Sequence, residues 1–288
     1  MIYDKIVLLG TGKLFLNCLS YVDGLHVPYE GYEMSTPPSK ITLAQAKNKG
    51  LCCCSMSKAL LFQKLSQERS RILLLSVINP AILPEWMMKM ENIVAINCHQ
   101  ALLPKYKGRN AECWAIYEGE EKSGITWHRM DAGVDTGEIL IQKEVPITET
   151  TTAYSLFRQQ LGAAYEAFLE FMPKVLAGEE TYHPQPKLEE ESFHYSWEAP
   201  EAGRMDPRWS QERISRLLRA TDYGILKVMK RPVLVMEGQE YGFQSYKILR
   251  REEAGEDLCR FDGNRIVIEK KEYQFILEKW EALNKNER

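Results

Sequence analysis

The stretch ILLLSVINP, residues 72–80, decides the fold. Ile72 to Val77 are apolar or small without a break, and Asn79-Pro80 punctuates the end of the run. A continuous apolar run of strand length, closed by a turn signal, marks a strand buried on both faces, as in a parallel sheet covered by helices. Working outward, Lys5 to Leu9 repeats the pattern. Gly10-Thr11-Gly12 reads as the turn after it and Lys13 to Ser20 as a helix. Thr42 to Lys49 and Ser57 to Gln67 are further helix candidates, Ala81 to Met90 reads as helical, and Ile93 to Asn97 as another strand. Such alternation of short apolar runs with amphipathic segments gives an α/β class with a mostly parallel sheet.

Asn110 to Tyr117 reads as a helix, and Gly124 to Met130 and Ile139 to Val145 as strands flanking a glycine-rich turn. A long helix follows from about Thr152 to Leu176, with Phe157, Leu161, Tyr165, Phe168, Met172 and Leu176 in steps of three or four and Gly178 as a stop. Residues 179–205 change character. Prolines and acidic residues with little periodicity, including Glu189-Glu190-Glu191 as a solvated face, mark a linker or extended arm. Beyond it, Ser210 can cap a helix carrying Ile214, Leu217 and Leu218 on one face, and alternating runs at 233–236, 243–249, 266–269 and 273–277 suggest a small β-rich unit. The expected organisation is a domain over residues 1–185, a linker over 186–205 and a β-rich, OB-like domain over 206–288.

Length and composition agree with this. The 288 residues suffice for two domains, and 44% hydrophobic residues suffice for real cores. A formal net charge of -3 gives no global basic footprint of the kind that marks nucleic-acid binders, although a local basic patch is compatible with it. Seven cysteines, three of them consecutive at Cys52 to Cys54, make neither a disulfide framework nor a paired zinc spacing. The triplet reads as a buried strand in a reducing cytosol. The start MIYDKIVLLGTGK has no signal-peptide pattern, and no run of about 18 apolar residues occurs, so a cytoplasmic chain without a membrane span is expected. His26, His128, His183 and His194 show no ligand spacing, so no metal is expected.

Two segments are dense in chemistry. In IVAINCHQALLPKYKGRN, residues 93–110, Asn97 and His99 share a face if the strand continues to His99, and Cys98 between them points away into packing. The carboxyl ends of parallel strands are where open α/β sheets bind ligands. In GITWHRMDAGVDTGEILIQ, residues 124–142, Gly133 and Gly137 allow positive φ, so Asp131 to Gly137 can fold into a compact loop bearing Asp131 and Asp135. Taken singly, each residue also has an ordinary reading: a turn residue for Asn97, a structural histidine for His99, an acidic turn for the aspartates. Together they supply the parts of acyl transfer to an amine. The Asn97 amide can donate to a developing oxyanion, an imidazolium at His99 can donate or act as acid, and Asp135 can fix the His99 tautomer and relay the amine proton. No nucleophilic Ser or Cys is needed, because the amine attacks.

The string N-C-H-Q-A-L-L-P-K-Y-K-G-R, followed by M-D-A-G-V-D-T-G-E-I-L, resembles the folate-dependent formyltransferase family, whose pattern is N-x-H, S-L-L-P and D-x-G-x-D-T-G. Asn97, His99 and Asp135 match its catalytic Asn, His and Asp. The resemblance is tight over about residues 93–147 and returns weakly at 206–220. It implies a Rossmann-like domain that takes 10-formyltetrahydrofolate as co-substrate, so Gly10-Thr11-Gly12 is not a dinucleotide site. It places the pterin against Val77, Ile78 and Asn79, against Leu103, and against Asp131, Ala132, Gly133 and Val134. Gln100-Ala101 stand where the family has Ser before Leu-Leu-Pro. Cys52 to Cys54 and Trp127 have no counterpart in the pattern.

The resemblance leaves the acceptor amine open. Residues 25–50 hold Lys40, Lys47 and Lys49 but no Arg, which offers little concentrated charge for the phosphates of a tRNA. Arg109 resembles an Arg that contacts the nucleotide-sugar in an amino-sugar member of the family, and a guanidinium suits a phosphate. A surface Arg capping a loop is the plainer account of it. A small amine acceptor, with a nucleotide-linked amino sugar as its leading form, is therefore expected; methionyl-tRNA formyltransferase is the alternative.

Overall fold

The computed structural model describes residues 2–188 and 192–283. The acidic run Glu189 to Glu191 lies outside them. The chain forms two compact units. Unit 1 comprises Met1–Gly108, Ser123–Val145 and Arg158–Phe193; unit 2 comprises Arg109–Lys122, Pro146–Phe157 and His194–Arg288. Residues 109–122 and 146–157 thus group with the C-terminal part, although the sequence places them before residue 185.

Unit 1 is built on a seven-stranded sheet. Its strands are β1 (Lys5–Gly10), β2 (Tyr29–Glu33), β3 (Cys53–Ser55), β4 (Ile72–Val77), β5 (Ile93–His99), β6 (Lys122–Arg129) and β7 (Ile139–Pro146), in the order β3-β2-β1-β4-β5-β6-β7. Neighbours from β3 to β5 are parallel, and β6 runs antiparallel to β5. The sheet is mostly parallel, as the apolar runs predict, and the fold is Rossmann-like, as the resemblance implies. Alternation along β1 shows why those runs are continuous. Ile6 and Leu8 pack with Phe15 and Leu19 of α1 (Gly12–Asp23) and with Phe168 and Met172 of the long helix Ala153–Ala177. Val7 and Leu9 face the other way, toward Leu61, Leu65 and Met87. Both faces of the strand are dry, and each fully buried side chain of this size contributes about 1.5–3 kcal/mol.

Three local differences from the sequence have physical causes. The helix expected over Ala81 to Met90 shrinks to Glu85–Met88, because Pro84 holds its own φ and disfavours helical backbone at Leu83. The cysteine triplet does reach a strand, β3, but at the sheet edge, so Cys52 and Cys54 are exposed, not buried. Strand β2, YEGYE, carries too much polarity to be read alone; it is formed by pairing with β1 and β3.

Unit 2 is β-rich, as expected. One four-stranded sheet joins Arg204–Met205, Val233–Met236, Gln239–Gly242 and Glu281–Leu283; the other joins Ser245–Arg250, Tyr273–Glu278, Arg265–Glu269 and Leu258–Asp262. The helix Gln211–Ala220 starts where expected, with Ser210 Oγ accepting from Arg213 N at 3.3 Å. Its Ile214, Leu217 and Leu218 bury against Leu234, Phe243, Ile266 and Phe275. Among the described residues no helix is long and apolar enough to cross a membrane.

Candidate active site

Strand β5 extends to His99, so Asn97 and His99 do share a face, at the carboxyl end of the parallel part of the sheet. Cys98 points away into the core on the side of Trp127. The glycine-rich loop brings Asp135 to the same place. Its Oδ2 lies 3.5 Å from His99 Nδ1, and its Oδ1 accepts from Asn97 Nδ2 at 3.4 Å. The three residues singled out from the sequence are therefore one cluster in unit 1.

A further residue completes it. In the antiparallel pairing of β5 with β6, Asn97 stands opposite His128 and His99 opposite Thr126. His128 is buried, with Nε2 3.1 Å from Asn97 Nδ2 and 3.4 Å from Asp135 Oδ1. Its Nδ1 lies 2.9 Å from the Arg129 carbonyl, which can only accept, so Nδ1 carries a proton. Nε2 then accepts from Asn97 when the ring is neutral and donates to Asp135 when it is charged. The clue in the sequence was alternation: with Trp127 committed to the core, His128 must face the opposite side of β6.

The His99 ring is fixed by the same logic. Nε2 lies 2.7 Å from the Tyr106 carbonyl and so donates to it. Nδ1 then faces the Asp135 carboxylate. A lone pair aimed at a carboxylate would repel it, so this arrangement favours the imidazolium. Asp135 is the anion of the cluster. Burial by itself would push its pKa up, but the His99 and His128 rings, together with the Gly108 N–H donating to Oδ2 at 3.0 Å, outweigh burial and hold it down to about 2. Because the folded value lies below the unfolded value of about 3.9, the stability this carboxylate contributes is complete above that range and is lost as pH falls through about 2. It stays ionised throughout the neutral range.

The loop that presents Asp135 is shaped differently from expectation. Neither Gly133 nor Gly137 takes positive φ; Asp135 itself does, at 55°. Gly137 is required for another reason. A Cβ there would lie 1.8 Å from the Arg129 carbonyl oxygen, which is backbone and cannot swing aside. Gly137→Ala is expected to cost about 1–3 kcal/mol, a drop of several degrees in Tm, and to displace Asp135. A thermal melt beside an activity assay checks both. The loop is otherwise held by Asp131 Oδ1, which accepts from Gly133 N at 3.1 Å and Thr136 Oγ1 at 2.6 Å, and by Gln185 Nε2, which donates to the Asp135 and Gly137 carbonyls at 2.9 and 2.8 Å. Gln185 lies at the edge of the proline-rich stretch and was not singled out from the sequence.

His128→Ala is expected to lower kcat about tenfold, the worth of one buried hydrogen bond to the Asn97 amide, with little change in KM for the formyl donor. His128→Gln keeps an acceptor and should recover most of the rate. Equal loss in both variants would make His128 a packing residue only.

The residues that the resemblance assigns to a pterin fall into two groups. Val77 ends β4 in the core. Ile78 after it holds φ at 52°, a conformation that is costly for a β-branched residue. Asn79 Oδ1 accepts from Ala81 N at 2.9 Å, while its buried Nδ2 has no partner among the described residues. Val134 is 43% exposed and offers apolar surface. Leu103 and Asp131 have less to give by hydrogen bonding. The Leu103 N–H donates to Thr126 Oγ1 at 3.0 Å and its carbonyl accepts from Gln142 Nε2 at 2.9 Å. Arg109 lies in unit 2, exposed, beside Glu112 and Tyr223. Among the described residues no group of three His, Cys, Asp or Glu side chains could hold a metal ion.

Residues 42–172 match the family profile described as Formyl transferase. The GDP-perosamine N-formyltransferase of Brucella melitensis is 35% identical over 170 residues, which cover 59% of this chain and 63% of that protein. The match thus spans less than two thirds of that relative's length. The methionyl-tRNA formyltransferase of Clostridioides difficile is 28% identical over 260 residues, covering 80% of this chain and 81% of that one. Among solved structures, the sugar 3N-formyl transferase WlaRD, crystallised with dTDP and 5-N-formyl-THF, superposes with a TM-score of 0.72 at 19% identity, covering 99% of both chains. The N-formyltransferase of Helicobacter canadensis, in complex with folinic acid and dTDP-3-aminofucose, gives 0.70 at 18% identity, covering 96% of this chain and 99% of that one. At these identities the superpositions establish a shared fold. Residues 42–172 are thus similar to the formyl transferase family, and the chain shares its fold with sugar N-formyltransferases.

Proposed function

We propose that this chain transfers a formyl group from 10-formyltetrahydrofolate to the primary amine of a nucleotide-linked amino sugar. The observation that carries the chemistry is the cluster of Asn97, His99 and Asp135, in which Asp135 lies within 3.5 Å of both partners at a strand end. The acceptor class is supported by the Brucella relative, whose name specifies an amino sugar carried on GDP, and by the two superposed structures with dTDP or a dTDP-amino sugar. The pterin would rest against Ile78, Asn79 and Val134, with the unpartnered Asn79 Nδ2 available to a ring carbonyl. Leu103 would contribute its side chain.

The amine nitrogen attacks the formyl carbon, and the carbonyl electrons move to oxygen. Asn97 Nδ2 turns from its present acceptors to that oxygen, and the His99 imidazolium lends positive charge nearby. The carbon–nitrogen bond to the folate then breaks. A proton leaves the attacking nitrogen and ends on the departing one. With its pKa at about 2, Asp135 can hold this proton only in transit; its standing task is to keep His99 charged and oriented.

The test is a comparison of kcat/KM for UDP-, dTDP- and GDP-linked amino sugars with that for Met-tRNA, using the purified chain. The proposal expects an amino sugar to win by orders of magnitude. A second reading, formylation of Met-tRNA, has one observation in its favour, the 260-residue match to the Clostridioides enzyme. It requires salt-dependent tRNA binding, and turnover of Met-tRNA alone would establish it in place of the first.

A further inference from the structure

The carboxylate of Asp135 is carried on strained backbone. Its φ of 55° lies in the left-handed region, which is costly for a residue with a Cβ and persists only where the surroundings over-determine it. Gly108 N and the two histidine rings hold the carboxylate itself. They act on the end of the side chain, not on the peptide behind it. The front of the loop is closed by Asp131 Oδ1, which accepts from Gly133 N and Thr136 Oγ1. At the base, Arg129 N donates to the Glu138 carbonyl at 2.8 Å. Between these, the Asp135 and Gly137 carbonyls both accept from one group, Gln185 Nε2, at 2.9 and 2.8 Å. All of these residues belong to unit 1.

The stretch His183-Pro184-Gln185-Pro186 is shaped to deliver that amide. Each proline holds its own φ and disfavours helical backbone in the residue before it, which pushes His183 and Gln185 to extended conformations. Extended backbone at His183 pairs with the first residue of β7: His183 N donates to the Ile139 carbonyl at 2.8 Å, and Ile139 N to the His183 carbonyl at 2.7 Å. One residue earlier, the Arg129 guanidinium lies over the Tyr182 ring, 5.8 Å from its centroid. The segment is thus anchored on both sides of the loop, to the last residue of β6 and the first of β7. Chemistry fixes which way the Gln185 amide points. Both receiving groups are carbonyls, so the nitrogen must face them. Oε1 is then left buried with no partner among the described residues. An unpaired buried acceptor is costly, and an apolar side chain of the same length would fill the place without it. What the amide adds is its pair of N–H donors.

We propose that Gln185 is a positioning residue for formyl transfer: by holding the Asp135 peptide, it sets the carboxylate against His99. This rests on the reading of the cluster as a formyl-transfer site. The effect of Gln185 on the rate then passes through Asp135.

Gln185→Met keeps the length and bulk of the side chain and removes both donors. It is expected to lower kcat about 10- to 100-fold, the cost of a small misplacement of a catalytic group. KM for the formyl donor should move far less, because Asp131 closes the front of the loop by itself. Gln185→Glu sets acceptor oxygens against two carbonyls and should be the worse of the two. A double-mutant cycle in kcat tests the route. Added to Asp135→Asn, Gln185→Met should cost less than about threefold more, because the charge it positions is already gone. A loss in the double variant equal to the product of the single losses would make Gln185 independent of Asp135 and overturn the proposal, as would near-normal kcat in Gln185→Met. Hydrogen exchange read by mass spectrometry needs no substrate. Peptides spanning residues 131–138 should exchange about tenfold faster in Gln185→Met, with β4 unchanged. Wild-type exchange rates over 131–138 in that variant overturn the proposal whatever the activity. Faster exchange there, in a protein whose wild type formylates no amine, overturns the functional reading and the catalytic role with it, and leaves only the hold on the loop.

Discussion

Asp135→Asn will lower kcat about 10³-fold while leaving the protein folded and KM for the formyl donor nearly unchanged. The substitution preserves shape and removes charge. Asp135 is the anion that faces both His99, at 3.5 Å, and His128, at 3.4 Å, and it accepts the Gly108 N–H at 3.0 Å. Without that charge the His99 imidazolium loses its counter-ion in a site where water screens little. An Asn amide also presents a donor where an acceptor is needed. The loss should therefore appear in the chemical step. Steady-state kinetics in formyl donor and acceptor separate the two parameters, and a variant with near-normal kcat would remove Asp135 from the mechanism. The pH profile supplies an independent sign. Because the carboxylate is held down to about 2, no acid limb from Asp135 should appear in kcat/KM between pH 5 and 8 in the wild type.

Asn97→Ala is expected to cost about 10²–10³ in kcat, the usual worth of an amide donor to a developing oxyanion. Asn97→Asp should be worse than Asn97→Ala, which distinguishes an electrostatic role from a steric one. It would set a second carboxylate where the amide now stands, 3.4 Å from Asp135 Oδ1, and like charges at that distance drive one group to take up a proton. If Asn97→Asp were the milder change, Asn97 would be serving only to fill space. A kcat comparison of the two variants at neutral pH decides it, with circular dichroism to show that both fold.

The sequence made parts of this legible because period-two alternation is a strong constraint. It put Asn97 and His99 on one face and sent Cys98 to the core, and the extension of β5 to His99 gives both outcomes. That Asp135 joins them came from the family pattern; its approach depends on loop geometry that glycine content only hinted at. The hint was half right. The loop needs Gly137 for close approach to Arg129, whereas the positive φ falls on Asp135 itself. His128 was harder to find because its partnership with Asn97 is a matter of register between β5 and an antiparallel β6, and no local pattern encodes register across a connection that includes the helix Ala111–Glu118. The cysteine triplet misled for a related reason. Apolar composition marks a strand, but its place at the edge of the sheet is decided by the other strands.

The most direct measurement is formyl transfer followed by mass spectrometry. The purified chain would be incubated with carbon-13-labelled 10-formyltetrahydrofolate and nucleotide-linked amino sugars, with Asp135→Asn and Asn97→Ala as controls. The account predicts an amino sugar heavier by one labelled carbonyl, formed by the wild type and nearly absent with either variant. Labelled product formed equally fast by Asp135→Asn, or label recovered only as free formate, would contradict it.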